Sequence, residues 1–322
     1  MTSHVSLSTT GSPPAPFPAW YLTGPTAVGK SAIALELAER VGGELISVDS
    51  MQVYRGLDIG TAKPSAAEQA RVRHHLIDVA DLDETFDAAR FVTLAQAAES
   101  EIRSRGRVPV YCGGTGFYLK ALWSGLGAAP ATDPSLRTEL EALPLAELLR
   151  ELELKDPVAF ARIDRRNPRR VVRAVEVIRL TGRPFSAQAA SPATSEPAPQ
   201  VFAFTREPAD LRQRINRRVD QMFADGLVEE TRQLLRRGLA DNRTALQAIG
   251  YRQVVEHLNG ERPLADTVAL VKTKTWQFAR RQLTWLRHQM CPHWIMLDGG
   301  SGPLEVVARL MERSAGGGAR KK

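Results

Sequence analysis

The sequence lacks the features that mark disulfide-rich, zinc-binding and membrane proteins. Its two cysteines, Cys112 and Cys291, form no C-x-x-C pair, which argues against structural zinc and against a disulfide framework. We expect both to be reduced core residues. No apolar run approaches the ~18 residues of a membrane-spanning helix, so no association with a membrane is predicted.

N-terminal targeting signals are also missing. The first lysine is Lys30 and the first arginine is Arg40. The N-terminus therefore has neither the positive region of a secretory signal nor the arginine-rich face of a transit peptide. We expect a cytoplasmic protein.

A phosphate-binding loop is the clearest feature that is present. Residues 24–31 read G-x-x-x-x-G-K-S, after the apolar stretch 20–22 and before a helical pattern with Ile33 and Leu37 on one face. In a P-loop, backbone N–H groups point at an anion, the lysine adds a cation and the serine offers a hydroxyl to Mg²⁺. A glycine-rich turn without a ligand is the alternative. The predicted P-loop consists of Gly24, Pro25, Thr26, Ala27, Val28, Gly29, Lys30 and Ser31, with Ser31 as the metal ligand.

Apolar strands that alternate with amphipathic helices predict an α/β fold. Buried strands are expected at residues 20–22, 44–49, 107–112 and 201–204. Repeated βα units imply a parallel sheet with helices on both faces and with ligands at the carboxyl ends of its strands. We predict a P-loop NTPase-like parallel sheet flanked by helices, with a helical insertion domain.

The insertion is predicted to interrupt the catalytic core. Within it, leucines from Leu136 to Leu152 mark one helix. A second helix has Asn167 as its N-cap and Gly182 after its last turn, and the Ala-, Pro- and Ser-rich stretch 186–200 is interpreted as a loop. The predicted divisions are a disordered tail at 1–19, the core at 20–131 and 197–313, the tRNA-binding insertion at 132–196 and a flexible tail at 314–322.

The net charge of +7 is concentrated in two segments. Residues 162–183 contain eight arginines against two acids, whereas residues 267–297 contain five basic residues, four aromatic residues and no acid. Basic stretches with aromatic residues suit RNA or single-stranded DNA better than duplex. The alternative is a solvated helix face over core aromatics, and we expect Phe278 and Trp285, seven residues apart, to be core residues.

An acidic residue ends the second predicted strand beside the P-loop. Asp49 occupies the position where P-loop folds place an acid against Mg²⁺ or a reacting group. The segment from Asp49 to Pro64 is too polar and too rich in glycine for a core element. We interpret it as a functional loop.

Six motifs together resemble the tRNA dimethylallyltransferase family, the isopentenyl transferases that alkylate an adenosine beside the anticodon. They occur in family order and leave only the two tails outside. The chain lacks the C-terminal Cys/His module of eukaryotic members, so it resembles the bacterial form. The motifs lie at residues 24–31, 49–64, 113–119, 169–173, 247–252 and 280–287.

The resemblance implies substrates and catalytic roles. In this family the P-loop holds the pyrophosphate of dimethylallyl diphosphate, and the acceptor is the exocyclic N6 of the adenine. The N–H groups of residues 26–31 and Lys30 would stabilise the leaving pyrophosphate, with Mg²⁺ as the cofactor. Asp49 would accept the N6 proton, and Thr115 would orient Asp49 or the adenine. Arg218 would reach the diphosphate, the alternative being a surface charge on an arginine-rich helix.

The expected partners are dimethylallyl diphosphate and the anticodon stem-loop of tRNA, bound by a monomer. A stacked base cannot reach a buried pyrophosphate, so the adenine must be flipped out into a channel. One departure from the family pattern is Trp276, which stands where an arginine is expected. The residues that resemble the family's tRNA contacts are Asp49, Ser50, Met51, Gln52, Thr115, Arg137, Arg169, Arg170, Val171, Val172, Arg173, Gln247, Ala248, Ile249, Gly250, Tyr251, Arg252, Arg280, Arg281, Gln282, Leu283, Thr284, Trp285, Leu286 and Arg287.

Two other classes of protein remain open at this point. A P-loop small-molecule kinase would use the same loop and Mg²⁺, but it leaves the segment from Asp49 to Pro64 and the basic insertion unexplained. A non-catalytic RNA-binding protein explains the charge, but not why Lys30, Ser31 and Asp49 would surround one crevice.

Overall fold

A computed structural model of the chain describes residues 18–188 and 200–317. The predicted disordered tail lies outside the described residues except for its last two positions. Most of the predicted loop at 186–200 and the end of the predicted C-terminal tail, residues 318–322, lie outside them as well.

The described strands form one parallel sheet, as the sequence predicts. Their order is β3-β2-β4-β1-β5-β6, and every neighbouring pair runs in the same direction. The four predicted strands correspond to β1, β2, β4 and β5. The two edge strands were not predicted, because one has two residues and the other is largely exposed. The strands are β1 (Trp20–Thr23), β2 (Gly43–Ser47), β3 (His74–His75), β4 (Val108–Gly113), β5 (Val201–Thr205) and β6 (His293–Met296).

Helices account for most of the remaining described residues. Among residues 18–188 and 200–317, no helix is both long enough and apolar enough to cross a membrane. The helices are α1 (Lys30–Val41), α2 (Ala66–Arg71), α3 (Ala88–Ser104), α4 (Gly116–Ser124), α5 (Pro134–Ala142), α6 (Leu145–Lys155), α7 (Pro157–Arg162), α8 (Pro168–Thr181), α9 (Pro208–Ala224), α10 (Leu227–Arg236), α11 (Tyr251–Leu258), α12 (Leu264–Gln289) and α13 (Pro303–Gly317).

The core of the molecule surrounds the central strands of the sheet. Leu22 of β1, Val110 of β4 and Phe202 of β5 are almost fully buried in one cluster with Ile33 and Leu37 of α1. A parallel sheet covered on both faces needs apolar residues on both sides of each strand. This requirement explains why these strands are continuous apolar runs in the sequence.

The chain divides into two compact units. The first contains the sheet and comprises the described residues 18–86, 93–115 and 200–317, whereas the second comprises 87–92 and 116–188. The predicted insertion falls within the second unit as far as it is described. Residues 116–131, which the sequence analysis assigns to the core, belong to the second unit. Within that unit, Ala128 N donates to Gln188 O (3.1 Å) and the Tyr118 ring stacks on Phe91 (4.3 Å).

Two predicted helix boundaries are wrong. The helix expected between Leu136 and Leu152 is two helices, α5 and α6, because Pro144 separates them and a residue before proline avoids helical geometry. At the C-terminus, α13 continues to Gly317, so the predicted flexible tail begins as helix.

The predicted ends of α8 are confirmed. The side chain of Asn167 accepts a hydrogen bond from Arg170 N (3.3 Å), and Gly182 follows the helix at φ 67°. A left-handed conformation at this position is accessible to glycine at low cost.

Candidate active site

The loop between β1 and α1 has the backbone of a P-loop. Gly24 lies at φ 148° and Gly29 at φ 107°, and a Cβ on Gly24 would lie 2.8 Å from Phe204 O. Ala27 has φ 63° although it carries a side chain, a strain typical of ligand-binding loops. Helix α1 begins at Lys30, so unpaired N–H groups of its first turn face the loop.

Two arginines hold the P-loop from outside by its carbonyl groups. Arg206 Nε donates to Val28 O (2.8 Å), and Arg214 Nε donates to Ala27 O (3.0 Å). Both also place positive charge near Gly29. Neither residue was predicted from the sequence, although Arg206 directly follows β5, which pairs with β1, and so could have been placed near the loop.

A glutamine of α12 holds the P-loop by its backbone nitrogen. Thr26 N donates to Gln282 Oε1 (2.9 Å). This N–H group is therefore engaged and not accessible to a phosphate in this conformation. The expectation that the N–H groups of residues 26–31 contact pyrophosphate stays a prediction, and for Thr26 it requires that Gln282 release this N–H group.

Lys30 is enclosed at the start of α1. Its Nζ donates to Pro25 O (3.3 Å). Burial lowers the pKa of Lys30, Arg218 lowers it further, and Asp49 opposes this shift. A bound anion would favour the protonated lysine. Burial raises the pKa of the Cys112 thiol to about 11, so this neighbour is neutral at physiological pH.

Asp49 and the P-loop lie at the same edge of the sheet. Strand β4 separates their strands, so Asp49 is not directly beside β1 as the sequence suggested. Its Oδ1 accepts hydrogen bonds from Met51 N (2.9 Å) and Gln52 N (3.3 Å). The other carboxylate oxygen makes no hydrogen bond within the described residues, and it is therefore able to accept a proton.

The end of β4 fills the space between Asp49 and the P-loop. A Cβ on Gly113 would lie 2.0 Å from Val48 O, so only glycine permits this approach of the two strand ends. Thr115 N donates to Val48 O (3.1 Å), and Thr115 Oγ1 accepts a hydrogen bond from Ser50 N (3.2 Å). Thr115 thus holds the backbone next to Asp49 and contacts it only indirectly.

Arg218 of α9 is half-buried and lines the same cavity as Asp49. Its Nη2 donates to Thr61 O (3.4 Å). Burial lowers the pKa of Arg218 while Asp49 raises it. This placement argues against the surface-charge alternative for Arg218. The neighbouring Arg217 is exposed, and it lines an open pocket with Lys30 and Ser31.

One cavity of about 340 Å³ brings the four predicted catalytic residues together. Its volume lies within the range of small-ligand sites, about 300–1,000 Å³. All the residues that line it belong to the first unit. They include Thr26, Lys30, Ser31, Asp49, Ser50, Met51, Gln52, Thr115, Arg218, Gln247, Thr275, Phe278, Arg281 and Gln282.

The loop after Asp49 is fixed by buried polar contacts. Glu230 accepts a hydrogen bond from Ile59 N (2.9 Å). Tyr251 donates its hydroxyl hydrogen to Glu230 (2.6 Å) and accepts a hydrogen bond from Gly60 N (3.0 Å). Tyr251 is fully buried, so its side chain supports this loop and cannot contact RNA in this conformation.

Other predicted tRNA contacts are distributed between surface and interior. Arg252, Arg280, Arg281 and Arg287 are exposed, as are Gln247 and Thr284. In the second unit, Arg169 and Arg170 are exposed, whereas Arg173 and Arg137 lie against the buried carboxylate of Glu176 at 2.8 Å and 3.7 Å. Direct side-chain contact with tRNA is excluded in this conformation for the buried members, which are Val171, Val172, Ala248, Tyr251, Gln282 and Leu286.

Several expectations about burial are wrong. Phe278 is 36% exposed and lines the cavity instead of the core, whereas Trp285 is half-buried. Cys291 is exposed, contrary to expectation, whereas Cys112 packs against the core as expected and also lines the cavity; both are free thiols, as predicted. Trp276, which replaces an expected arginine, packs against the hydrophobic core.

The fold and the cavity define a class, an α/β protein with a P-loop NTPase-like fold whose P-loop lines one cavity together with the basic helix α12. The sequence model of the IPP transferase family matches residues 52–289. The chain is 46% identical to tRNA dimethylallyltransferase 1 of Citrifermentans bemidjiense, over 86% of this chain and 92% of the relative. It is 48% identical to tRNA dimethylallyltransferase of Halorhodospira halophila, over 84% and 90%. The chain therefore belongs to the IPP transferase family.

Solved structures agree with this assignment. A tRNA isopentenylpyrophosphate transferase from Bacillus halodurans superimposes with a TM-score of 0.67 and 39% identity, covering 92% of this chain and 96% of the other. A eukaryotic dimethylallyltransferase acting on tRNA gives a TM-score of 0.71 and 26% identity, over 86% and 73%.

Proposed function

We propose that the chain is a tRNA dimethylallyltransferase, which transfers a dimethylallyl group from dimethylallyl diphosphate to N6 of the adenosine beside the anticodon. The observation that carries this proposal is a single cavity lined by Lys30 and Ser31 of the P-loop and by Phe278 and Arg281 of α12. A diphosphate bound by Lys30 and Ser31 would react beside Asp49 with an RNA base bound by Phe278 and Arg281. The relatives described above support the same reaction.

The transfer forms one bond and breaks one. The adenine N6 attacks the allylic carbon, and the carbon–oxygen bond to pyrophosphate breaks with its electrons leaving on the pyrophosphate. The N6 proton passes to Oδ2 of Asp49, since Oδ1 is occupied by two backbone N–H groups. Lys30, Arg218 and the first turn of α1 stabilise the negative charge that develops on the leaving group.

Mg²⁺ is part of the proposal. Within the described residues, no group of three His, Cys, Asp or Glu side chains could hold a metal. Mg²⁺ commonly binds through one or two protein ligands together with phosphate oxygens and water. The hydroxyl of Ser31 fits this role, and the ion would neutralise charge on the diphosphate.

The alternatives explain less of the cavity. A small-molecule kinase accounts for Lys30 and Ser31, but not for a cationic helix that lines the same cavity. A non-catalytic RNA-binding protein accounts for α12, but not for a proton-accepting carboxylate that shares a cavity with a P-loop lysine. We further propose a cytoplasmic monomer.

The direct test is incubation with unmodified tRNA, dimethylallyl diphosphate and Mg²⁺, followed by mass analysis of the nucleosides. We expect one added dimethylallyl group on adenosine, released pyrophosphate and no requirement for ATP. Phosphorylation of a small metabolite by ATP, with no alkylated adenosine at any Mg²⁺ concentration, would replace the transferase with the kinase.

Substitutions in the cavity should separate catalysis from tRNA binding. Asp49→Asn keeps the shape of the side chain but removes the proton acceptor, so the single-turnover rate should fall ~10²–10⁴-fold while tRNA still binds. Lys30→Ala should abolish turnover and retain most of the tRNA affinity. A near wild-type rate for Asp49→Asn would assign Asp49 a structural role.

A further inference from the structure

Gln282 connects two loops that line the cavity. Its Oε1 accepts the hydrogen bond from Thr26 N of the P-loop (2.9 Å), and its Nε2 donates to Gly114 O (2.9 Å). Gln282 is only 8% exposed. One amide thus satisfies a buried donor of one loop and an acceptor of the other.

The neighbouring glycine makes room for this amide. A Cβ on Gly114 would lie 2.3 Å from Gln282 Nε2, so any other residue would displace the glutamine. Gly114 immediately precedes Thr115, whose hydroxyl holds the backbone beside Asp49. Gln282 therefore contacts the P-loop directly, and it contacts the backbone beside Asp49 indirectly, through Gly114 and Thr115.

We propose that Gln282 is a positioning residue for the transfer: its amide fixes the distance between the P-loop and the loop 113–115, and so aligns the diphosphate with the acceptor base. This rests on the proposed function. It replaces the direct tRNA contact that the family resemblance implies for Gln282, and it assigns tRNA contact to the exposed neighbour Arg281. Small displacements of reacting groups are costly, because misplacement by 1 Å can reduce a rate by about 10²-fold.

The first experiment removes the amide and keeps the length of the side chain. Gln282→Met can form neither the hydrogen bond with Thr26 N nor the one with Gly114 O. We therefore expect kcat to fall by about 10²-fold at saturating substrates, with the dissociation constant for tRNA unchanged. Gln277→Met, at an exposed position of the same helix, is the matched control and should match the wild type. Weaker tRNA binding by Gln282→Met with a normal kcat would overturn the proposal in favour of a direct contact.

A second variant tests the two hydrogen bonds through pH. An ionised glutamate at position 282 still accepts from Thr26 N but repels Gly114 O, whereas a protonated glutamate both accepts and donates. The activity of Gln282→Glu relative to the wild type at the same pH should therefore rise as pH falls through the pKa of the new carboxyl group. The same ratio for Gln282→Met should stay flat. A flat ratio for both variants would refute the bridging role.

Binding of inorganic pyrophosphate separates this proposal from the reaction itself. Calorimetry should show weaker pyrophosphate binding by Gln282→Met than by Gln277→Met, whichever reaction the enzyme performs. If the wild type forms no alkylated adenosine but this difference persists, the transferase assignment fails and the bridge stands. If the wild type is active and Gln282→Met equals it in kcat and pyrophosphate affinity, the positioning role of Gln282 is refuted while the transferase assignment stands.

Discussion

Helices α8 and α12 are both rich in arginine, but their arginines have different partners. In α12, Arg280, Arg281 and Arg287 are exposed, and none forms an ion pair within the described residues. In α8, Arg173 donates to Glu176 (2.8 Å), a carboxylate with no exposed surface, and to Pro130 O.

The comparison shows that a local excess of charge does not measure the charge that a ligand can reach. Glu176 also accepts a hydrogen bond from Asp133 N (3.1 Å), so it anchors the segment before α5 to α8. A buried carboxylate needs its cations for stability. We therefore infer that Arg173 is mainly structural and that the α12 arginines are the stronger candidates for phosphate contacts.

The largest expected effect tests the structural half of this comparison. Arg173→Ala removes the nearest cation from a buried carboxylate, a change that costs about 3–5 kcal/mol in other proteins, and the low end applies here because Arg137 lies 3.7 Å away. We expect a clear fall in the stability of the second unit to chemical denaturation. Arg280→Ala on α12 is the control and should change it little. Equal stabilities of the two variants would remove the distinction between the helices.

The next effect concerns Phe278, an aromatic side chain of α12 that lines the cavity. Phe278 is partly exposed there, and the Arg281 guanidinium lies 5.8 Å from its ring centroid. Stacking of a base on an aromatic ring contributes about 1–3 kcal/mol. Phe278→Leu should therefore weaken binding of an anticodon stem-loop by about 10-fold, whereas Phe278→Tyr should bind normally.

An abasic ligand supplies the control for this prediction. A stem-loop without the target base cannot stack on residue 278, so wild type and Phe278→Leu should bind it equally. Weakening of equal size for both stem-loops would mean that Phe278 supports α12 instead of receiving the base.

The sequence is informative where local chemistry determines structure. The P-loop needs a strand, specific glycines and a helix start within one short segment, and the caps of α8 lie within a turn of the residues they satisfy. The split between α5 and α6 was also readable, because Pro144 interrupts the predicted helix. Local rules therefore suffice for the four central strands and the P-loop, but not for the two edge strands or for the insertion of β4 between β2 and β1.

The rest depends on contacts between distant parts of the chain. Gln282 and Thr26 are 256 residues apart, and no local pattern distinguishes a bridging glutamine from a surface one. Glu176 is one of two acids in a segment with eight arginines, and only the fold shows that it is buried. Phe278 and Trp285 have core-like spacing on a helix, but a helix that also lines a cavity has a second apolar face.

The smallest expected effect compares the two helices directly by their salt dependence. Removal of one phosphate-binding cation should reduce the slope of log affinity against log salt by roughly 0.7–0.9, because fewer counterions are released on binding. Replacement of Arg280 and Arg281 by alanine should therefore flatten the slope for tRNA by about twice this amount. Replacement of Arg169 and Arg173 should flatten the slope less, since Arg173 is engaged with Glu176. Affinity for dimethylallyl diphosphate should not change in the α8 variant. A larger change for the α8 pair than for the α12 pair would reverse the comparison, because it would show that Arg173 leaves Glu176 to bind phosphate when tRNA is present.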